Sequence, residues 1–155
     1  MSVFLVDTNI FVYSLDSRDG WKRTRAIEVL NILGRMDTGV VTPQVLGEFF
    51  VTSTRRIPEP LSVPEAGRLV TDMARSWPVF DLTPGIVLEA IEGVQRHGMS
   101  YWDATLWATA KFHEVPYILT EDYRDGALVE GVRYLNPMVR SFDMAVLTGA
   151  PQQHR

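Results

Sequence analysis

The first eleven residues, MSVFLVDTNIF (1–11), contain the stretch that decides the fold. Residues 3–6 are all apolar, which predicts a short and fully buried strand. Asp7 follows this strand directly, and Thr8 and Asn9 come next, before more apolar residues. A carboxylate at the edge of a core is costly unless something compensates its charge. The sequence therefore indicates that Asp7 has a specific role.

The bulk composition fits one globular domain. The chain has 155 residues, of which 46% are hydrophobic and 22% charged. The absence of cysteine excludes disulfides and thiolate metal sites and favours a reducing cytoplasm. We predict no signal peptide and no membrane span, because no basic segment precedes the first apolar stretch and no apolar run reaches ~18 residues. The formal net charge of −4 disfavours a broad basic nucleic-acid face, but it allows an enzyme that acts on nucleic acid at one acidic site.

The period of the apolar pattern changes repeatedly along the chain. The predicted strands are residues 3–6, 39–42, 78–82, 117–120 and 132–135. The predicted helices are residues 22–36, Pro43 through Phe50, a helix capped by Ser62 and Glu65, Pro84 to about Arg96, and Ser100 to about His113. This alternation favours an α/β fold with a mainly parallel sheet covered on both faces. Residues 1–137 are predicted to form one domain, and residues 138–155 a C-terminal extension with a disordered end.

Four acidic residues are predicted to meet at one edge of this sheet, where the carboxyl ends of the strands form a crevice. Asp7 and Asp122 follow strands, and Glu48 and Asp103 lie near the start of helices expected at the same edge. Two unit charges about 4 Å apart interact by ~4 kcal/mol at an effective dielectric of ~20. Such a cluster must take up protons or bind a cation. Oxygen ligands favour Mg²⁺, with Mn²⁺ as the alternative.

Polar neighbours fit a supporting role around these acids. Asn9 can donate a hydrogen bond to a carboxylate, and Thr8 and Thr120 can add hydroxyl groups. Arg55 and Arg56, at the end of the helix after the second strand, can hold phosphates or complement the helix C-terminus. The sequence therefore contains candidates both for metal ligands and for the residues that orient those ligands.

Each acid also has a purely structural interpretation. Asp7 can cap a short helix near Ile10, and Asp103 can be a first-turn acid favoured by the helix dipole. Glu48 can be a solvated edge residue, and Asp122 a turn residue. The expected meeting of all four favours the functional interpretation. We therefore assign Asp7 to the site and leave helix capping to its successors in the sequence.

Five segments, in combination and in order, resemble the PIN domain and more narrowly the VapC-type ribonuclease toxins of bacterial toxin–antitoxin pairs. They are VDTNIFVY (6–13), QVLGEFF (44–50), GMSYWDATLWATA (98–110), ILTEDYRDG (118–126) and VRYLNP (132–137). The resemblance covers residues 3–137, nearly the whole chain. It implies a three-layer α/β/α fold and a Mg²⁺-dependent endoribonuclease. It also implies an RNA substrate, a cognate antitoxin that blocks the site, and a homodimer.

Carried over by position, the acids of the family's site fall on Asp7, Glu48, Asp103 and Asp122. The resemblance implies that Asp7, Asp103 and Asp122 hold the metal and that Glu48 completes the site or orients the attacking water. Asp125 is a weaker candidate, because the family usually places its acid two residues after the strand-end threonine.

The polar residues of the family match Thr8, Asn9 and Thr120. A receiver-type phospho-acceptor domain needs a lysine after a late strand, and neither Lys22 nor Lys111 follows one. A haloacid-dehalogenase-like phosphatase needs a second aspartate where Asn9 stands. Two alternatives stay open: a ribonuclease of RNA processing or decay without an antitoxin, and a non-catalytic RNA- or partner-binding module on the same fold.

Overall fold

The computed structural model describes residues 2–149, so the predicted disordered end at residues 150–155 lies outside the described residues. The strands are β1 (Phe4–Val6), β2 (Gly39–Val40), β3 (Tyr117–Leu119), β4 (Leu128–Val129) and β5 (Val132–Leu135). The helices are α1 (Thr8–Tyr13), α2 (Gly20–Met36), α3 (Pro43–Arg55), α4 (Val63–Ser76), α5 (Pro84–His97) and α6 (Tyr101–Phe112), and a short 3₁₀ helix covers Met144–Thr148.

The strands form one sheet in the order β2-β1-β3-β5-β4. β1 pairs in parallel with β2 and β3, β3 pairs in parallel with β5, and only the short β4 runs antiparallel to its neighbour β5. The interior strand β1 is buried over all three of its residues, as expected for a parallel sheet covered by helices on both faces. The prediction of a PIN-like three-layer α/β/α fold with about five mainly parallel strands is confirmed.

One predicted strand is wrong, and one observed strand was not predicted. Residues 78–82 form no strand, and only Val79 makes a single parallel bridge to Val41. The reason is that β2 ends at Val40 and Thr42 already caps α3, so pairing stops with the hydrogen bond from the Phe80 N–H to the Val41 carbonyl, and residues 81–82 find no partner backbone. β4 was not predicted because its two residues are too few to show an alternating pattern.

The predicted helix starts are set by side-chain caps. Ser62 and Glu65 form a reciprocal capping box at α4, and Ser100 Oγ accepts a hydrogen bond from the Asp103 N–H at α6. Thr42 caps α3 in the same way. These caps fix where the helices begin, and therefore which side chains stand at the sheet edge. Within residues 2–149, no helix combines the length and the apolar character that crossing a bilayer requires.

The segment after β5 packs onto the body of the molecule. Met138 and Leu147 are buried and belong to the same core as the central strands. The 3₁₀ helix lies against α2, and the guanidinium group of Arg140 stacks on the Trp21 ring at 4.8 Å. The division into a domain of residues 1–137 and an extension of residues 138–155 stays a prediction, but residues 138–149 contribute to the common core.

Candidate functional site

Asp7 stands between the end of β1 and the start of α1 and is only 8% exposed. Its backbone N–H donates to the Leu119 carbonyl at 3.0 Å, which continues the pairing of β1 with β3. Its Oδ1 accepts a hydrogen bond from the Thr8 N–H at 2.7 Å, which makes Asp7 the N-cap of α1. The prediction that a later residue does the capping is therefore wrong. Asp7 caps because its extended backbone continues the strand and places the carboxylate over the first amide of the helix.

The other oxygen of Asp7 is held by the end of β3. The Thr120 hydroxyl, which is 3% exposed, donates to Asp7 Oδ2 at 2.7 Å. The same Thr120 oxygen accepts from the Asp122 backbone N–H at 3.0 Å. Thr120 therefore joins the two acids that follow adjacent parallel strands. This is the supporting position that was predicted for its hydroxyl group.

The Asn9 carboxamide lies between the carboxylates of Asp7 and Asp122. Its Nδ2 is 3.0 Å from Asp122 Oδ2, 3.1 Å from Thr120 Oγ1 and 3.5 Å from Asp7 Oδ2. Its Oδ1 accepts from the Glu121 N–H at 3.4 Å. The neutral amide of Asn9 therefore holds the two carboxylates close together by hydrogen bonds, without adding a positive charge.

Glu48 joins this network from α3. Although it is exposed, its Oε2 accepts from the Thr8 hydroxyl at 2.8 Å and its Oε1 from Gln44 Nε2 at 3.0 Å. The Thr105 hydroxyl, on α6, donates to Gln44 Oε1 at 2.6 Å. Gln44 and Thr105 were not predicted as site residues. The available signal was the spacing of Gln44 four residues before Glu48, which places both on one face of a helix.

Asp103 occupies the first turn of α6 and is half-buried. Within the described part of the chain, its carboxylate accepts no hydrogen bond from the other site residues. Its charge nevertheless acts, together with that of Asp7, on the buried hydroxyl of Tyr134 on β5, whose pKa is raised first by burial and then by neighbouring charges. Asp103 thus lies outside the hydrogen-bond network, on the helix whose Thr105 reaches that network through Gln44.

The three weaker candidates lie in different places. Asp125 is exposed, and its Oδ1 accepts from the Asn136 backbone N–H at 2.9 Å, which ties the carboxylate to a loop outside the network. Arg55 and Arg56 are exposed at the end of α3. Arg56 lines an open groove together with Glu48, so this arginine reaches the margin of the network.

The electrostatics of the site combine the burial of one carboxylate with the negative charge of its neighbours. Burial raises the pKa of Asp7 to about 6, against the lowering effect of hydrogen bonds from Thr120 and the Thr8 N–H. The charges of Asp122 and Glu48 raise it further. Asp122 and Glu48 therefore both act on Asp7, and the donors that hold the three carboxylates are neutral hydroxyl, amide and backbone groups.

The donor set fits a hydrated divalent cation. Among residues 2–149, no three Asp, Glu or His side chains are grouped closely enough to hold a metal ion by themselves. Mg²⁺ does not require such a group, because it usually binds through one or two carboxylates and keeps several of its waters. A cation would also offset the burial and the repulsion by Asp122 and Glu48 that together raise the pKa of Asp7. The oxygen-only chemistry of Asp7, Asp122, Glu48 and Asp103 suits such a hard ion.

Replacing Thr120 by Val tests the central hydrogen bonds. The variant removes the 2.7 Å donor to Asp7 and leaves the Asp122 N–H without its acceptor, so we expect the free energy of unfolding to fall by about 1–3 kcal/mol. Urea unfolding at fixed pH measures this change. Thr120→Ser keeps the hydroxyl and is the matched control. Equal stability of the Val and Ser variants would show that the hydroxyl contributes nothing.

Solved structures with this fold include chains from toxin–antitoxin systems. A toxin–antitoxin complex from Klebsiella pneumoniae matches at 17% identity and a TM-score of 0.64, over 86% of this chain and 96% of that chain. DNA-bound VapBC from Salmonella typhimurium matches at 15% identity and a TM-score of 0.62, over 88% and 99%. VapC20 from Mycobacterium tuberculosis, described as a sarcin–ricin loop cleaving toxin, matches at 19% identity and a TM-score of 0.58, over 74% and 86%. At these identities the likeness shows the fold.

The sequence itself gives the family. A comparison with curated proteins finds no match. The family model of the PIN domain matches residues 4–127, which include the four acids and their supporting Thr and Asn residues. This match spans most of the chain, and the chain therefore belongs to the PIN domain family.

Proposed function

We propose that this protein is a Mg²⁺-dependent endoribonuclease that acts as the toxin of a type II toxin–antitoxin pair. The observation that carries the proposal is the linkage of Asp7 and Asp122 through Thr120 and Asn9 at the ends of β1 and β3. Carboxylates gathered in this way, in a PIN domain, have the chemistry of a metal-assisted phosphodiester hydrolase. VapC20, which shares the fold, is described as cleaving the sarcin–ricin loop, and this supports an RNA substrate.

Asp7, Asp103 and Asp122 are the residues that would hold the cation, with Mg²⁺ preferred and Mn²⁺ as a substitute. When bound, the cation supplies neutralisation of the phosphodiester charge and an activated water. Thr120 and the Thr8 N–H fix the two oxygens of Asp7, so its carboxylate cannot swing away. The rigid attachment of these groups to strand ends and a helix start favours a preorganised site.

Glu48 would orient the attacking water. Its two oxygens are fixed from opposite sides, by the Thr8 hydroxyl and by the Gln44 amide. The carboxylate can still accept a hydrogen bond from a water molecule, because each of its oxygens has more than one lone pair. Hydrolysis forms the bond between water oxygen and phosphorus, breaks the bond to the leaving ribose oxygen, and is balanced by the loss of one proton from the water and the gain of one by the leaving oxygen. Arg56, in the groove beside Glu48, would contact an RNA phosphate.

The partners follow from the same chemistry. A site whose carboxylates include the exposed Glu48 and Asp122 suits an antitoxin that covers it with a basic side chain. Several structures that share the fold are toxin–antitoxin complexes, which supports such a partner. We also propose a homodimer and action in the cytoplasm, where RNA substrates are available.

Cleavage of RNA by the purified full-length protein tests the activity. We expect fragments of transfer, ribosomal or messenger RNA in Mg²⁺, no fragments in EDTA, and recovery on adding excess Mg²⁺ or Mn²⁺. Cleavage that EDTA leaves unchanged would contradict the metal-dependent mechanism, and binding of RNA without cleavage would favour the non-catalytic module.

Growth of cells that express the protein tests the toxin role. We expect growth arrest, relieved by co-expression of a small protein encoded beside the gene. RNA cleavage in vitro without growth arrest would favour a ribonuclease of RNA processing or decay.

A further inference from the structure

Tyr134, on β5, has a buried hydroxyl group without a partner. The side chain is 2% exposed, and its oxygen makes no hydrogen bond within residues 2–149. Only Arg25 Nη1 and Thr38 Oγ1 share this condition among the buried side-chain polar atoms of the described chain. Because a buried hydroxyl is unfavourable when it makes no hydrogen bond, it needs an explanation.

The ring of Tyr134 lies between two elements that carry site acids. It stacks on the ring of Tyr123, with centroids 4.1 Å apart and planes 30° apart, and Tyr123 directly follows Asp122 in the chain. In the sheet, Tyr134 stands opposite Ile118 of β3, and α6, which carries Asp103, packs against both strands. The tyrosine therefore touches the Asp122 loop and stands beneath the helix of Asp103.

In the sheet register, Leu5, Ile118 and Tyr134 form one row and therefore point to the same face. Asp7 follows Leu5 by two residues in extended backbone, so its side chain lies on that face too. Burial is the main cause that raises the pKa of Tyr134, and the charges of Tyr123, Asp103 and Asp7 add to it. The phenol is therefore neutral and keeps its proton to donate at any physiological pH. It lies on the sheet face of Asp7, on a strand against which α6, the helix of Asp103, packs, but it hydrogen-bonds neither carboxylate directly.

We propose that Tyr134 is a positioning residue of the acidic site, whose hydroxyl holds one bridging water between the carboxylates of Asp7 and Asp103. A buried water commonly makes about three hydrogen bonds to polar groups that otherwise have no partner, and these three groups provide them. The bridge gives Asp103 the orientation that direct contacts do not, and so sets the distance between two of the proposed metal ligands. This inference rests on the proposed function, because its consequence is tighter cation binding.

Mn²⁺ binding to the full-length protein tests the proposal by electron paramagnetic resonance, a readout independent of catalysis. Tyr134→Phe removes only the hydroxyl, and we expect the Mn²⁺ dissociation constant to rise about tenfold, as for other changes to groups that orient ligands. Tyr123→Phe removes the hydroxyl of the stacking partner and is the matched control, with affinity unchanged. Unchanged affinity in Tyr134→Phe, or an equal loss in Tyr123→Phe, would overturn the proposal.

The thermal midpoint in EDTA separates positioning from a structural role. We expect Tyr134→Phe to unfold within about 2 °C of the wild type, because the hydroxyl contacts no protein group. If Tyr134→Phe unfolds at a lower temperature, Mn²⁺ affinity is compared between Asp103→Asn alone and Asp103→Asn combined with Tyr134→Phe. The proposal requires that the Tyr134 change cause no further loss of affinity in this background. A full additional loss overturns the proposal. Failure of the wild type itself to bind Mn²⁺ would overturn the metal-dependent function and this inference together, whereas a wild type that binds normally isolates the role of Tyr134.

Discussion

Asp7→Asn and Asp103→Asn are each expected to reduce RNA cleavage by more than a hundredfold, beyond the ~10–100-fold losses typical of residues that only orient ligands. Both variants remove a negative charge from a proposed cation ligand while keeping the size of the side chain. Gel analysis of a defined RNA in saturating Mg²⁺ measures the rate. Full cleavage by either variant would remove that acid from the mechanism.

Asp125→Asn is the matched control for these two variants. It removes the same charge from the loop that carries Asp122, but its side chain only accepts a hydrogen bond from the Asn136 backbone N–H, which an amide oxygen can also do. We expect wild-type cleavage. An equal loss in this control would assign the effect to net charge rather than to the network around Asp7.

The fold should persist in the inactive variants for a structural reason. In Asp7→Asn, the amide oxygen can still accept from the Thr8 N–H, so the cap of α1 is retained. Asp103 has its backbone N–H fixed by Ser100, which the substitution does not touch. Near-ultraviolet circular dichroism, which reports on packed aromatic rings, is expected to superpose on that of the wild type.

The sequence predicted the placement of those site residues that directly follow strands. Asp7 and Asp122 each follow an apolar run, and parallel strands bring their carboxyl ends to one edge. This rule needs no knowledge of side-chain conformations, and the structure joins these residues through Thr120 and Asn9. The catalytic roles of the acids stay predictions until the variants are measured.

The contacts that prediction missed depend on how helices pack against one another. The chain from Thr105 through Gln44 to Glu48 joins residues of α6 and α3 that are 61 positions apart. No local period reports such a pair. The same limit explains the wrong strand at residues 78–82. Their apolar pattern is typical of a strand, but β2 ends at Val40, and pairing is limited to the bridge between Val79 and Val41.

The capping error at Asp7 has a different origin. Structural and functional interpretations were treated as alternatives, but a carboxylate has two oxygens. Oδ1 caps α1 while Oδ2 is held by Thr120. One residue therefore performs both tasks, and the cap itself fixes the carboxylate for the site.

The stability of the metal-free protein is expected to fall as pH rises from about 4 to about 7, through the contribution of Asp7. Its pKa is raised from 3.8 to about 6 in the folded state, chiefly by burial. Between these values the folded state binds the proton more tightly than the unfolded chain, so raising the pH favours unfolding. The shift corresponds to a loss on the order of 2–3 kcal/mol once the pH exceeds the folded pKa. Urea unfolding in EDTA across this range measures it.

Comparison with Asp7→Asn isolates this contribution, because other acids with lowered pKa, such as Glu89 and Glu130, titrate equally in both proteins. Near pH 4 the two proteins should be similarly stable, since a protonated Asp resembles Asn. Near pH 7.5 in EDTA the variant should be the more stable one. Saturating Mg²⁺ should reverse that order, because only the wild type gains binding energy. If Asp7→Asn is less stable than the wild type in EDTA at pH 7.5, the Asp7 carboxylate stabilises the fold. The expected reversal would show instead that the charge of Asp7 lowers the stability of the metal-free fold and serves to bind a cation.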